Sequence, residues 1–342
     1  MAMNNEIILL TDYRNYFYSS QKHKDASMNL AALNKYFLAH GYSLNIKRYS
    51  VIDLRKENYN GKFILYQSSE DRDLFYKSYI EDILLGIQLQ GGILIPDFYK
   101  FRAHHNKVFM EILRDISDNE EIKNIRSKYF GCYEEFKNKI DEIQVPIVVK
   151  PAEGAVSKGI RLFNGIVSLK KYTEKLSRSF NALDIVKNEI KSITRNYHVR
   201  QSNHRRKFII QNFVSGLKND YKIVIYGAKY YILFRKNRKN DFRASGSGLF
   251  EFKKELPGGL LDYAQRVFLN FHCPYIAMDV GYDGHKFYLI EFQFLHFGTF
   301  TLESAPFYFL KENNEWKIIQ EKTILEQELA NSVDAYITNI KG

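Results

Sequence analysis

The sequence predicts a mixed fold: an α/β region with a mostly parallel sheet, followed by an α+β region dominated by antiparallel strands. Three observations predict it. Short apolar runs alternate with helical patterns as far as about residue 98. Strand-like segments dominate the chain from Pro146 onward. Among those later strands, the tight turns Gly227-Ala228-Lys229 and Tyr282-Asp283-Gly284 each join two neighbours as a hairpin.

The elements justify this in order. Residues 7–10, Ile-Ile-Leu-Leu, read as a buried first strand. Residues 28–40 carry Leu30, Leu33, Tyr36 and Phe37 at helical spacing, and Gly41 supplies the stop. Residues 42–47 alternate as a strand, with Tyr42, Leu44 and Ile46 on one face. Residues 63–66 form another strand, and 77–90 a second helix. Gly91 and Gly92 then lead into the strand Ile93–Ile95. Ligands of parallel sheets sit at the carboxyl ends of strands. The polar run 67–71, Gln-Ser-Ser-Glu-Asp, is therefore a candidate substrate loop or a plain turn. Later strands are expected at 147–150, 208–211, 221–226, 230–234, 275–280 and 287–292, with a charged, helix-like stretch over 170–206.

At 342 residues the chain is long enough for two or three packed subdomains. Its 26 Phe, 25 Tyr and only 6 Pro argue against long disordered tracts. Cys132 and Cys273 lack metal-ligand spacing, which fits a reducing cytoplasm. The apolar run at 7–10 is too short for a signal core or a membrane span. The net charge is +11, and the basic residues read as spread along the chain, densest at His204-Arg205-Arg206-Lys207. No nucleic-acid-binding motif accompanies that cluster, and a solvated face is its plainer reading.

Three groups of residues carry chemistry. Val148-Val149-Lys150-Pro151 ends an apolar strand on a lysine, which needs an anion or exposure. The loop 154–159 follows, with Gly154, Ser157, Lys158 and Gly159; its backbone N–H groups suit a phosphate cradle, or it is an ordinary turn. It is not a Walker loop, because Ile160 follows Gly159 where that pattern needs lysine. The second group is Asp279 with Glu291 and Gln293. Glu291 and Gln293 share a strand face, Asp279 lies on a neighbouring strand, and such hard oxygens suit Mg²⁺. The third is Asp220, Lys222, Arg235, Asp241 and Arg243, where the cations suit stabilisation of a transferring phosphoryl group.

In this order, from about Asn106 to Gln293, these residues resemble the ATP-grasp superfamily, most closely its ribosomal-protein glutamate ligase-like carboxylate–amine ligases. The resemblance implies an ATP-grasp fold preceded by an N-terminal α/β domain. Its divisions would be 1–98, an ATP-grasp N-terminal subdomain with phosphate loop and lid at 99–206, and a C-terminal subdomain with the metal site at 207–342. It implies Lys107 at the start of the helix opening the ATP-binding region, and Lys150 on the α- and β-phosphates. Gln211, Asn212 and the backbone near Phe213 would form the adenine hinge, with Asp220 near the ribose. Lys222, Arg235 and Arg243 are the implied catalytic cations, and Asp279, Glu291 and Gln293 the metal ligands.

The implied cofactors are ATP and Mg²⁺, with Mn²⁺ as a substitute. The implied reaction joins a small-molecule carboxylate, an amino acid or sugar acid, to an amine through an acyl-phosphate. A kinase that stops at a phosphorylated product, or a degenerate nucleotide-binding module, is the alternative. A homodimer fits the family, and neither a nucleic acid nor a membrane span is expected. The chain departs from the family pattern at Asn212, Lys222, Ser245 and Gln293, which replace a common glutamate, arginine, asparagine and asparagine respectively. His104 and His105 are further candidates for substrate contact or for a purely structural role.

Overall fold

The computed structural model of the chain describes residues 5–17, 27–154, 159–180, 182–195, 201–239, 241–244 and 246–341. They form two compact units. The first combines Met1–His104, Asn119–Ile122 and Leu217–Gly342; the second combines His105–Asp118 and Lys123–Gly216.

The first unit holds two sheets. Strands β1 (Glu6–Thr11), β2 (Ser43–Arg48), β3 (Phe63–Leu65) and β4 (Ile93–Ile95) form a parallel sheet in the order β2-β1-β3-β4. Strand β1 is apolar because it is central: Ile7 to Leu10 are fully buried. Strand β2 is an edge, so Ile46 stays 42% exposed despite its apolar alternation. The helices Leu30–Ala39 and Phe75–Leu89 match the helical spacing, and Asn29 caps the first by accepting a hydrogen bond from the Ala32 N–H.

The second unit contains an antiparallel sheet of β5 (Ser127–Phe130), β6 (Ile147–Pro151), β7 (Arg161–Phe163) and β8 (Phe208–Asn212), ordered β5-β8-β6-β7. One of its faces, with Ile147, Val149, Phe208 and Ile210, packs on Phe130, Phe136 and Leu169.

The other sheet of the first unit is antiparallel. It comprises β9 (Asn219–Tyr226), β10 (Lys229–Lys236), β11 (Phe250–Glu251), β12 (Tyr275–Tyr282), β13 (Phe287–Gln293), β14 (Tyr308–Glu312) and β15 (Glu315–Ile319). The order is β13-β12-β9-β10-β14-β15, with β11 paired to β10. The terminal helix Leu325–Lys341 ties this sheet to the parallel one. Its Leu329, Val333 and Ile337 share a core cluster with Ile7, Leu33, Val224 and Tyr231. Its polar side reaches the first helix: Glu326 accepts from the Asn29 N–H at 2.8 Å, and Asp334 lies 3.1 Å from His40. Among the described residues no helix is long and apolar enough to cross a membrane.

Candidate active site

On the seven-stranded sheet, strand alternation and register gather five charged side chains on one face. Asp279 on β12 lies directly across from Glu291 on β13, and on its other side from Lys222 on β9. Two residues along each strand, Asp220 on β9 faces Arg235 on β10. Gln293 follows Glu291 by two, so it projects from that same face. Two carboxylates directly opposite each other in a sheet repel, and cations on the inner strands offset some of this. Arg235 donates to both oxygens of Asp220, at 2.6 and 2.8 Å, and its far nitrogen lies 3.0 Å from Asp279 Oδ2. Lys222 Nζ lies 3.4 Å from Asp279 Oδ1, an ion-pair distance without hydrogen-bond geometry.

That network splits the two aspartates. Burial pushes Asp220 up to about 6, and the charge of Asp279 adds to the push. Burial raises Asp279 as well, but Arg235 and Lys222 outweigh it and hold this carboxyl down to about 2. Three carboxylates and two cations meet on this face. The buried Asp279 Oδ1 has no hydrogen-bond donor among the described residues and sits in the strand position facing Glu291. With the Gln293 amide, this set of hard oxygens fits a divalent cation bound to phosphate. Among the described residues no cluster of three His, Cys, Asp or Glu is placed to hold a metal, so the third donor here would be the amide. Arg243 pairs with Asp241 in its own turn, at 2.6 Å.

The second unit presents another polar face. Lys150 on β6 and Gln211 on β8 project on the side opposite the aromatic core, together with Val148, and both are nearly fully buried. The helix Lys107–Asp115 packs on this face. Asn106 caps it by accepting a long hydrogen bond from the Phe109 N–H, at 3.4 Å. Lys107, at its first turn, ties the start of the glycine loop to the helix: its backbone N–H donates to Ala152 O at 2.8 Å, and its ammonium to Gly154 O at 3.0 Å. At the far end of the loop Gly159 adopts φ +77°, and Tyr172 donates to its carbonyl at 2.7 Å. Ser157 and Lys158, like Ser245 elsewhere, lie outside the described residues. Asn212 is exposed at the end of β8, and Phe213 follows half-buried.

The sequence reading missed what holds Gln211. Its amide donates to Ser127 Oγ at 3.2 Å and to Glu111 Oε1 at 3.4 Å, and Glu111 pairs with Arg114 at 2.8 Å, both fully buried. A signal existed: Lys107, Met110, Glu111 and Arg114 occupy helical positions i, i+3, i+4 and i+7 and all are buried, so charges stand on the packed side of this helix.

At the carboxyl edge of the parallel sheet, Gln67 and Ser68 are buried. Tyr49 donates to the Gln67 carbonyl at 2.6 Å, and Asp71 accepts from the Tyr76 and Lys77 N–H groups as the next helix starts. His104 is buried 3.2 Å from Glu70, its ring 5.7 Å from that of His296 in the segment after β13. Cys132 and Cys273 are free thiols.

No family model and no curated protein matches the sequence. Solved structures match it over nearly its whole length. The D-cycloserine synthetase DcsG is similar at a TM-score of 0.55 and 9% identity, covering 96% of this chain and 99% of that one. A D-alanine–D-alanine ligase from Bacillus anthracis gives 0.49 at 12% identity, with 98% and 99% covered. A RimK domain ATP-grasp protein from Sphaerobacter thermophilus gives 0.48 at 12%, with 97% and 99% covered. The first of these likenesses carries the conclusion, and at such low identity it concerns architecture: this chain has the ATP-grasp fold.

Proposed function

We propose that the protein is an ATP-dependent carboxylate–amine ligase, releasing ADP and phosphate and acting on a small carboxylate such as an amino acid or sugar acid. The observation that carries the reading is the charged face of β9, β10, β12 and β13. Asp279 and Glu291 would hold Mg²⁺ with Gln293, and the ion when bound would neutralise phosphate charge. Arg235 is held bidentately by Asp220, so its guanidinium is oriented before any ligand arrives. Lys222 stands beside it, and both cations are suited to charge developing on the γ-phosphoryl group. Arg243 completes the set of proposed cations by analogy with the fold family.

In the other unit, Lys150 would contact the α- and β-phosphates. The loop 154–159, anchored by Lys107, would cover them. Asn212 and the backbone near Phe213 would meet the adenine edge, with Gln211 fixed behind them by Glu111 and Ser127. The substrate carboxylate oxygen attacks the γ-phosphorus and the bond to ADP breaks. The acyl-phosphate is then attacked by an amine, which forms the amide, loses a proton and expels phosphate. A cytoplasmic setting fits the two free thiols, and a homodimer is the assembly we expect.

The test is phosphate release from ATP with a panel of amino acids and sugar acids, with and without amine. Hydroxylamine is added to trap an acyl-phosphate as hydroxamate. Lys150→Ala and Glu291→Ala should each lower turnover by about 100-fold or more. Full turnover in both variants would remove the site assignment. Phosphate transfer that needs no amine and yields no hydroxamate would make the protein a kinase instead.

A further inference from the structure

The charged face of the seven-stranded sheet does not end at Arg235. Directly across from Arg235, on the outer neighbour β11, lies Phe250. Residues opposite each other in an antiparallel pair point to the same side, so Phe250 belongs to this face. It is 49% exposed, and its ring meets that of Phe300 edge-on, 5.1 Å between centroids. Phe300 opens a short helix, Phe300–Ser304, that packs on β9 and β10. The helix lies on the same face: its buried Leu302 shares a core cluster with Val224 and Tyr231, which alternation puts on the side of Lys222 and Arg235. Apolar packing thus covers one half of the face and charges occupy the other, with an aromatic pair beside the charges.

Position says what the pair meets. Neighbouring strands lie about 4.8 Å apart, so Phe250 is one strand spacing from Arg235 and three, about 14 Å, from Asp279. An acid whose carboxylate lies over Arg235 therefore has Phe250 within reach of its side chain. Phenylalanine rings suit an aryl group, and they leave the hydroxyls of a sugar acid unpaired. The stretch before Phe300 carries His296, whose ring lies 5.7 Å from that of His104, itself 3.2 Å from Glu70 in the loop after β3. That stretch runs from the carboxyl edge of the parallel sheet, where ligands of such sheets sit, to the aromatic pair.

We propose that Phe250 and Phe300 form the subsite for the side chain of the substrate acid, and that this acid bears an aryl group, as an aromatic amino acid does. The inference rests on the ligase reading, which puts the carboxylate at Arg235, and narrows it against a sugar acid.

The test has two arms, both on the full chain with Mg²⁺. In the first, saturation-transfer NMR is recorded on phenylalanine, serine and glucuronate in equal amounts, with a non-hydrolysable ATP analogue present. Saturation should reach the phenylalanine ring protons most strongly. Phe250→Ala and Phe300→Ala should each lower phenylalanine affinity about tenfold, and Phe250→Leu should keep most of it. The second arm measures ATP-dependent phosphate release with the same acids and hydroxylamine. Phenylalanine should exceed serine in kcat/KM, and Phe250→Ala should lower that ratio about tenfold through KM rather than kcat. The proposal is overturned if serine or glucuronate binds or reacts as well as phenylalanine, or if both alanine variants keep the selectivity of the parent. It is overturned too if sedimentation shows a dimer that Phe250→Ala dissociates. Turnover with serine or glucuronate alone would remove the subsite and leave the ligase. Selective phenylalanine binding, lost in the alanine variants, without turnover of any acid would remove the ligase and leave the subsite.

Discussion

Two polar faces in this molecule solve the same problem in different ways. On the seven-stranded sheet, Asp220, Lys222, Arg235, Asp279 and Glu291 compensate one another across four strands and keep some exposure. On the sheet of the second unit, Glu111 and Arg114 sit three residues apart on one helix, fully buried, and brace a single glutamine. The first network leaves one buried carboxylate oxygen, Asp279 Oδ1, without a donor among the described residues, as a ligand site does. The second pairs its two charges within one helix and holds Gln211. The two therefore respond differently to loss of a partner.

The largest stability effect is expected in the closed pair. Arg114→Met strands Glu111 in a fully buried position, and chemical denaturation should show a loss of about 3–5 kcal/mol. Replacing both, Glu111→Leu with Arg114→Met, should return most of it, because an apolar pair of similar volume needs no charge compensation. If the double variant is as unstable as the single one, Gln211 needs Glu111 more than Arg114 does, and the bracing role becomes the dominant one.

A smaller effect is expected on the open face. Arg235→Leu removes the partner of two aspartates, yet water reaches some of this site and Lys222 still faces Asp279. A loss of about 2–3 kcal/mol is expected from the charged hydrogen bonds alone. An equal loss in Arg114→Met and Arg235→Leu would mean that the two faces are equally closed, contrary to the comparison.

The open face should also respond to pH. Asp220, raised on folding from 3.8 to about 6, favours the folded protein progressively as it takes up a proton. Asp279, lowered from 3.8 to about 2, works the other way. Its contribution is complete above about 4 and is lost as pH falls toward 2. In protein kept free of divalent metal, this site should therefore gain about 1–2 kcal/mol between pH 6.5 and 4.5. Asp220→Asn should flatten that gain, measured by urea denaturation at the two pH values. A gain that persists in Asp220→Asn would place the titrating group elsewhere.

The two faces also differ in how far the sequence disclosed them. Alternation along a strand is a period-two rule, so Glu291 and Gln293 could be put on one face, and the Asp-Gly turn put Asp279 on the adjoining strand. Register is a property of two strands at once. Nothing in the sequence said that Asp220 would face Arg235, or that the β-bulge between Asp279 and Val280 would bring Asp279 level with Glu291. Glu111 and Arg114 escaped because charged residues on a short helix read as solvated until something packs on them. The terminal helix Leu325–Lys341 escaped for the same reason in reverse: Leu329, Val333 and Ile337 have helical spacing, but their partners, Ile7, Leu33, Val224 and Tyr231, are all far away in sequence. The alternation of β1 with later helices and the two hairpins were legible because each is local.

The smallest effect tests the bend at Gly159, at the end of the glycine loop. Gly159 holds φ +77°, a left-handed conformation that side-chain-bearing residues adopt at a cost, and a Cβ there would lie 3.1 Å from Pro151 Cγ. Pro151 is the ring that ends the strand of Lys150, so it has little freedom to retreat. Gly159→Ala should cost about 1–2 kcal/mol of stability. If the loop serves phosphate, the change should also weaken nucleotide binding more than it weakens the fold. Calorimetric titration with ATP and Mg²⁺ at a temperature where the variant is fully folded separates the two. Unaltered affinity in a destabilised variant would make the bend at Gly159 a property of the turn alone, and would leave Lys107 and Lys150 as the groups from which a phosphate contact in this unit must be argued.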